Sequence, residues 1–223
     1  MLRDPILHLL ADRMGMVSQA YRPVHGFING EYFGLFNLRE RANEHFLAAK
    51  AKLLPQEIEM VDGFLTPIHG NHNSIQKAFD WLRSQDPDQT NFFDQLIRRF
   101  DIDQFIDYLA IQIYAANKDW PHNNVTLWRP SGPDGRIRWM LNDLDMSMGW
   151  HRGEYDDSTF SRLLARDETA PSSMFGLCLK NQEFKEHFAK RLFFRLENDL
   201  SPTKVISLID DITFHVRDEM LPH

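Results

Sequence analysis

Two short segments carry residue types and spacings that chemistry can use. The first is Asn117-Lys118-Asp119-Trp120-Pro121-His122-Asn123-Asn124, a polar run between an apolar helical stripe and an extended segment. The second, Trp139-Met140-Leu141-Asn142-Asp143-Leu144-Asp145, ends an apolar strand pattern in two carboxylates. Carboxylates two apart on an extended segment face the same way. Hard cations such as magnesium or manganese take one or two carboxylates together with phosphate oxygens. An Asp at the end of a helix-to-strand loop, an Asn five residues on, then a hairpin leading to another Asp is also the order that protein kinases use. Asp119 and Asn124 have that spacing, with Asp143 and Asp145 beyond the next hairpin. In that scheme Asp119 accepts or orients a substrate hydroxyl, Asn124 and Asp143 hold the cations, and Asp145 adds a further carboxylate. Catalysis is then mostly positioning and charge neutralisation. Taken singly, each motif also arises as ordinary turn and cap residues, so their order and context carry the argument.

The elements that position these segments are legible in outline. Asp4-Pro5 predicts a helix cap and first turn, followed by the stripe Ile6, Leu9, Leu10, Met14 and a stop at Gly15. Val24 to Ile28 and Tyr32 to Leu38 flank Asn29-Gly30, a strong hairpin signal. Arg39 to Leu53 resumes helical periodicity until Pro55, and residues 62–74 are turn-rich. Two short helices, Ile75 to Leu82 and Phe92 to Phe100, precede a central helix capped by Asp101 with the stripe Ile102, Phe105, Ile106, Leu109, Ile113. After the loop Lys118 to Asn124, Val125 to Arg129 and Ile137 to Leu141 form a second strand pair around Ser131-Gly132-Pro133-Asp134-Gly135. Trp150 to Pro171 is turn-rich apart from Phe160 to Leu164, and two helices close the chain, one with Phe184, Phe188, Leu192 and Leu196 on its inner face and one starting at Ser201-Pro202. The class is α+β.

Composition narrows the partners. The 223 residues are 43% hydrophobic and 26% charged, those of a folded domain, and the length favours one core over two. Residues 1–223 therefore read as one domain. A net charge of −7 without a basic stripe argues against nucleic acid as the main partner. Cys178 is the only cysteine, so neither an internal disulfide nor a cysteine metal site is available. No stretch approaches the roughly 18 apolar residues of a membrane span. His69 and His72 share a loop but lack a third ligand for zinc. Trp120, Trp128, Trp139 and Trp150 surround the candidate site, either as a stacking surface or, for the strand residues Trp128 and Trp139, as core.

The run Phe27-Ile28-Asn29-Gly30-Glu31-Tyr32-Phe33-Gly34-Leu35-Phe36-Asn37-Leu38-Arg39-Glu40-Arg41, followed by Ala116 to Asn124 and Asn142 to Asp145, resembles the CotH family, the spore-coat protein H type of atypical protein kinase. The resemblance spans about residues 3–150. It implies a divergent protein-kinase-like fold, ATP and Mg2+ as cofactors, and phosphoryl transfer to Ser or Thr hydroxyls of proteins. It also implies spore-coat, secreted or cell-surface settings. By the same resemblance Asp119 takes the catalytic or metal-proximal role, and Asp143 and Asp145 bind metal. Asn124 follows from the spacing, with Asn123 as its rival for the cofactor. Glu40, on the expected helix with Glu44 one turn on, is the candidate for the glutamate that a kinase pairs with a lysine; acidic residues in a first helical turn also need no partner.

The chain departs from that pattern. No lysine precedes Lys50, and Gly26, Gly30 and Gly34 lack the spacing of a phosphate cradle. The nucleotide-binding N-terminal lobe (1–54) thus reads as partial, beside a helical lobe (55–223), in a fragment of a longer protein. Arg22 or Arg39 would have to stand in for the missing cation. Two other functions compete: a non-catalytic coat or surface module that keeps the fold for protein interaction, and a manganese-dependent nucleotide-sugar transferase reading Asp143-Leu144-Asp145 as its metal motif. The latter would begin with βαβ units, which the sequence does not suggest.

Overall fold

Asn29 and Gly30 both adopt positive φ, 52° and 87°, as a two-residue turn between right-twisted strands demands. They join β1 (Tyr21–Ile28) to β2 (Glu31–Arg39) in an antiparallel hairpin. The computed structural model describes residues 2–150, 158–165 and 168–220; the polar stretch 151–157, part of the expected turn-rich region, lies outside them. Helix α1 (Arg3–Arg13) precedes the hairpin and stops at Gly15, φ 78°. Its start differs from the sequence expectation: Leu2 occupies the cap position without a side-chain bond, and Asp4 is buried.

Helix α2 (Glu44–Ala51) begins later than its periodicity suggests, because Asn43 Oδ1 accepts from Phe46 N at 3.0 Å and fixes the helix start there. Glu40 therefore lies in the connection before α2 and not on the helix. A 3-10 turn at Pro55–Glu57 leads into β3 (Ile58–Asp62), followed by β4 (Pro67–His69). With β5 (Thr126–Pro130) and β6 (Arg138–Met140) these form a sheet of order β4-β3-β5-β6, antiparallel at every pairing. Alternate side chains serve two layers. Ile58, Met60, Trp128 and Met140 pack against Phe46 and Leu47 of α2. Val61, Leu127 and Trp139 face the helical core. Trp128 and Trp139 are thus core residues.

That core is built by α3 (Asn73–Ser84), α4 (Phe92–Arg99), α5 (Ile102–Tyr114), α6 (Thr159–Ala165), α7 (Ala170–Cys178), α8 (Gln182–Asn198) and α9 (Pro202–Met220). Helix α5 is central as expected, with Phe105, Ile106, Leu109 and Ile111 buried. Asp101 does not cap it by side chain; its carboxylate instead accepts from Arg138 Nε at 2.9 Å. Buried Asp107 of α5 receives two donors each from Arg191 and Arg195 of α8 at 2.7–2.8 Å, and Arg195 also reaches the Met14 carbonyl at 3.1 Å. The fold is α+β. No helix among the described residues is long and apolar enough to cross a membrane.

Candidate active site

The loop after α5 is pinned before its polar residues begin. Fully buried Asn117 donates through Nδ2 to Gln112 Oε1 at 2.9 Å, and its Oδ1 accepts from Asp119 N at 3.1 Å. Its carbonyl accepts from Arg162 Nη2 at 2.7 Å. Trp120 is buried beneath the loop and donates Nε1–H to Tyr108 Oη at 2.8 Å, so the tryptophan is an anchor and not a stacking surface.

The two motifs are laced together by main chain. Lys118 N donates to Met146 O at 2.9 Å and Met148 N to Ala115 O at 2.7 Å. Four non-glycine residues of these segments have left-handed backbones: Ala116, Asn124, Asp143 and Met148, with φ between 47° and 57°. Such conformations are unfavourable for Ala and Met and mild for Asn and Asp, and they tend to gather at functional sites.

Asp119 is held from both sides. Asn123 Nδ2 donates to Oδ1 and Asn124 Nδ2 to Oδ2, each at 2.8 Å. Both amides thus orient the carboxylate, which leaves the Asn124 side-chain oxygen as a hard ligand. His122 Nε2 stands 3.9 Å from Asp119 Oδ1. Across the laced segments, Asp143 has its carboxyl raised above the usual range, first by partial burial, then by the charge and hydrogen bonding of Asp145, and by the charge of Asp119. Asp143 thus stands within the electrostatic reach of Asp145 in its own motif and of Asp119 in the other.

Asp143 and Asp145 line a cleft of about 250 Å³ together with Arg3, Asp4, Asn37 and Arg39. Asp4 Oδ1 accepts from Leu144 N at 2.8 Å, between the two acids, while Oδ2 pairs with Arg39 Nη1. His8 lies 3.6 Å from Asp4, but burial drops its imidazole to about 4, so it is neutral near pH 7 and leaves Arg39 as the counter-ion. Burial lowers the proton affinity of Arg39, and the charge of Asp143 opposes that. The cleft holds three carboxylates against two guanidiniums. Among the described residues no three His, Cys, Asp or Glu side chains form a complete metal cage. Its donor set fits a hard divalent ion held by one or two carboxylates, with phosphate oxygens and water completing the shell.

Of the residues expected from the sequence, Asp119, Asn123 and Asn124 form one hydrogen-bonded group, and Asp143 and Asp145 an adjoining pair. Glu40 stands elsewhere. Its carboxylate accepts from Ala20 N at 2.8 Å and pairs with Lys50 at 3.2 Å. Burial raises its pKa, but those two partners bring it below the ordinary value. Lys50 lines a different cavity, beside Trp128 and Asp101. His69 bonds the Pro55 carbonyl at 3.0 Å. Sequence reasoning missed Asp4, which reads as a helix cap, and gave Arg39 only a substitute's part. A buried carboxylate 140 positions from its partner leaves no local signal.

A search of curated proteins finds no match to this chain. The family model described as CotH kinase protein matches residues 1–64 and 66–223, nearly the whole length. Its span takes in the hairpin, the Asp119 loop and the segment after β6 that carries Asp143, which is irregular backbone with φ 47° at Asp143 and not the extended strand end that the sequence suggested. The chain belongs to the CotH kinase family.

Proposed function

We propose that this chain transfers a phosphoryl group from ATP to a protein Ser or Thr hydroxyl in a kinase-like arrangement, with Mg2+ or Mn2+ as the cation. The observation that carries this reading is the main-chain lacing of two segments that sets Asp119, held by Asn123 and Asn124, near the cleft lined by Asp143 and Asp145. Asp119, fixed by Asn123 and Asn124, orients the attacking hydroxyl and takes its proton. Asp143, Asp145 and the Asn124 oxygen would hold the cation, which, when bound, neutralises phosphate charge. Arg39 lines the same cleft and, in place of a lysine, would hold a phosphate oxygen.

The test is incubation with ATP and either metal, reading phosphate on Ser and Thr of the chain or an added protein by mass spectrometry. Removing a general base costs about 10²–10⁴-fold. Asp119→Asn should lower incorporation by that range and Asp143→Asn should abolish its metal dependence. Incorporation undiminished by Asp119→Asn contradicts the proposal. A non-catalytic interaction module is the second reading, favoured by the separation of the Glu40–Lys50 pair from the Asp143 cleft. Absence of both phosphate transfer and nucleotide binding would promote it. The nucleotide-sugar transferase reading has no βαβ unit to rest on, since the named strands pair only antiparallel.

A further inference from the structure

A cavity of about 350 Å³ between α3, α4 and the β5–β6 turn is lined by Lys77, Arg98, Arg99 and Arg129, and by no carboxylate. In a chain of net charge −7 this gathering of cations is unusual. Arg129 is neutralised and fixed: Nη1 reaches Glu59 at 3.2 Å, while Nε and Nη2 donate to the carbonyls of Gly135 and Gly132. Lys77, Arg98 and Arg99 have no acidic partner among the described residues.

Arg99 is held ready. Its guanidinium lies 4.1 Å from the Trp81 ring centroid, and Nη1 is tied to Gln95 through its carbonyl at 2.8 Å and its side chain at 3.0 Å. The Nε and Nη2 donors, the planar fork that matches an oxyanion, meet no acceptor among the described residues. Burial and the adjacent Arg98 charge both lower its proton affinity, as expected of cations crowded without an anion. A solvated basic face would need neither concavity, nor an aromatic floor, nor a fork fixed on one side only.

We propose that this cleft binds a phosphoryl dianion, carried by a small phosphate or by a phosphorylated side chain of a polypeptide. A dianion neutralises three unpaired cations better than one carboxylate does. The cavity suits one such group rather than a nucleic-acid backbone, which the overall negative charge would repel beyond the cleft. It shares no lining residue with the Asp143 cleft, so it stands apart from the kinase reading.

The experiment is calorimetric titration of the full chain, without divalent metal, with inorganic phosphate, a phosphoserine peptide, its unphosphorylated twin and a single-stranded oligonucleotide. Arg99→Gln should weaken phosphate and phosphopeptide binding about tenfold or more, the loss of one charge-assisted bond pair. Because Arg99 also packs on Trp81, the exposed double variant Lys77→Gln with Arg98→Gln provides the same readout without disturbing that stack. Asp143→Asn should leave binding unchanged. A phosphopeptide that binds more tightly than both phosphate and its twin supports the polypeptide source, and equal affinity of phosphate and phosphopeptide supports the small one. Absence of phosphate and phosphopeptide binding, indifference to both basic variants, or tighter binding of the oligonucleotide overturns the proposal.

Discussion

Asp143 is a carboxylate placed where carboxylates resist ionising, and this has a consequence for stability. Its pKa in the folded chain is raised above the ordinary value of 3.8 that an unfolded chain would show. Between those values the folded state binds more protons, so stability falls as pH rises through the window and stays lower at neutral pH. Asp143→Asn cannot ionise and tolerates the left-handed backbone. In metal-free buffer it should melt above wild type at pH 7, with the gap closing as pH falls towards 3.8; an equal or lower Tm at pH 7 contradicts this. Asp4 has the opposite role, since its charge is paired with Arg39. Breaking a buried pair costs about 3 kcal/mol, so Asp4→Ala should lower stability by that order in chemical denaturation. Asp4→Asn keeps an acceptor for Leu144 N and should separate the ion pair from the backbone bond. The acids at 119, 143 and 145 were legible because their spacing is local. Asp4 was not, because its partners Leu144 and Arg39 come from distant parts of the chain.

At the scale of elements, the site depends on how α5 hands over to the loop. Tyr108 of α5 accepts the Trp120 indole N–H. Tyr108→Phe leaves that donor buried without a partner, a cost of about 1–3 kcal/mol, and should lower Tm before any direct effect on chemistry; a fully neutral substitution would remove the anchor role. Likewise Asn181 caps α8 through Phe184 N at 2.9 Å and ties it to Pro87 O at 2.8 Å. Asn181→Ala should cost about 1–2 kcal/mol in denaturant titration. Turn chemistry made the hairpins readable at Asn29-Gly30 and around Gly132. Strand β3 escaped because Ile58 to Val61 are all buried, Glu59 included through Arg129, which erases the alternation that marks a one-sided strand. Short β4 begins with Pro67 at the sheet edge, where proline is tolerated. Helix α7 begins inside the stretch expected to be turn-rich, at Ala170-Pro171, because proline is tolerated in a helix's first turn, where the missing N–H costs nothing.

For the whole molecule, the layers explain why two motifs far apart in sequence meet. The helical core seats α5, the sheet carries β6, and the main-chain lacing of 115–118 with 146–148 brings Asp119 towards Asp143. The hairpin leaves Phe27, Phe33 and Leu38 exposed, yet Arg39 at its end reaches the acidic cleft through Asp4. The proposed binding of a nucleotide in this cleft through a divalent cation is tested most directly by thermal unfolding with and without ATP plus Mg2+ or Mn2+, for wild type and Asp143→Asn. Ligand at about 100 times Kd stabilises the native state by about 2.7 kcal/mol. Wild type should show a metal-dependent rise in Tm that is lost in Asp143→Asn. No rise in wild type, or an equal rise in the variant, would contradict it.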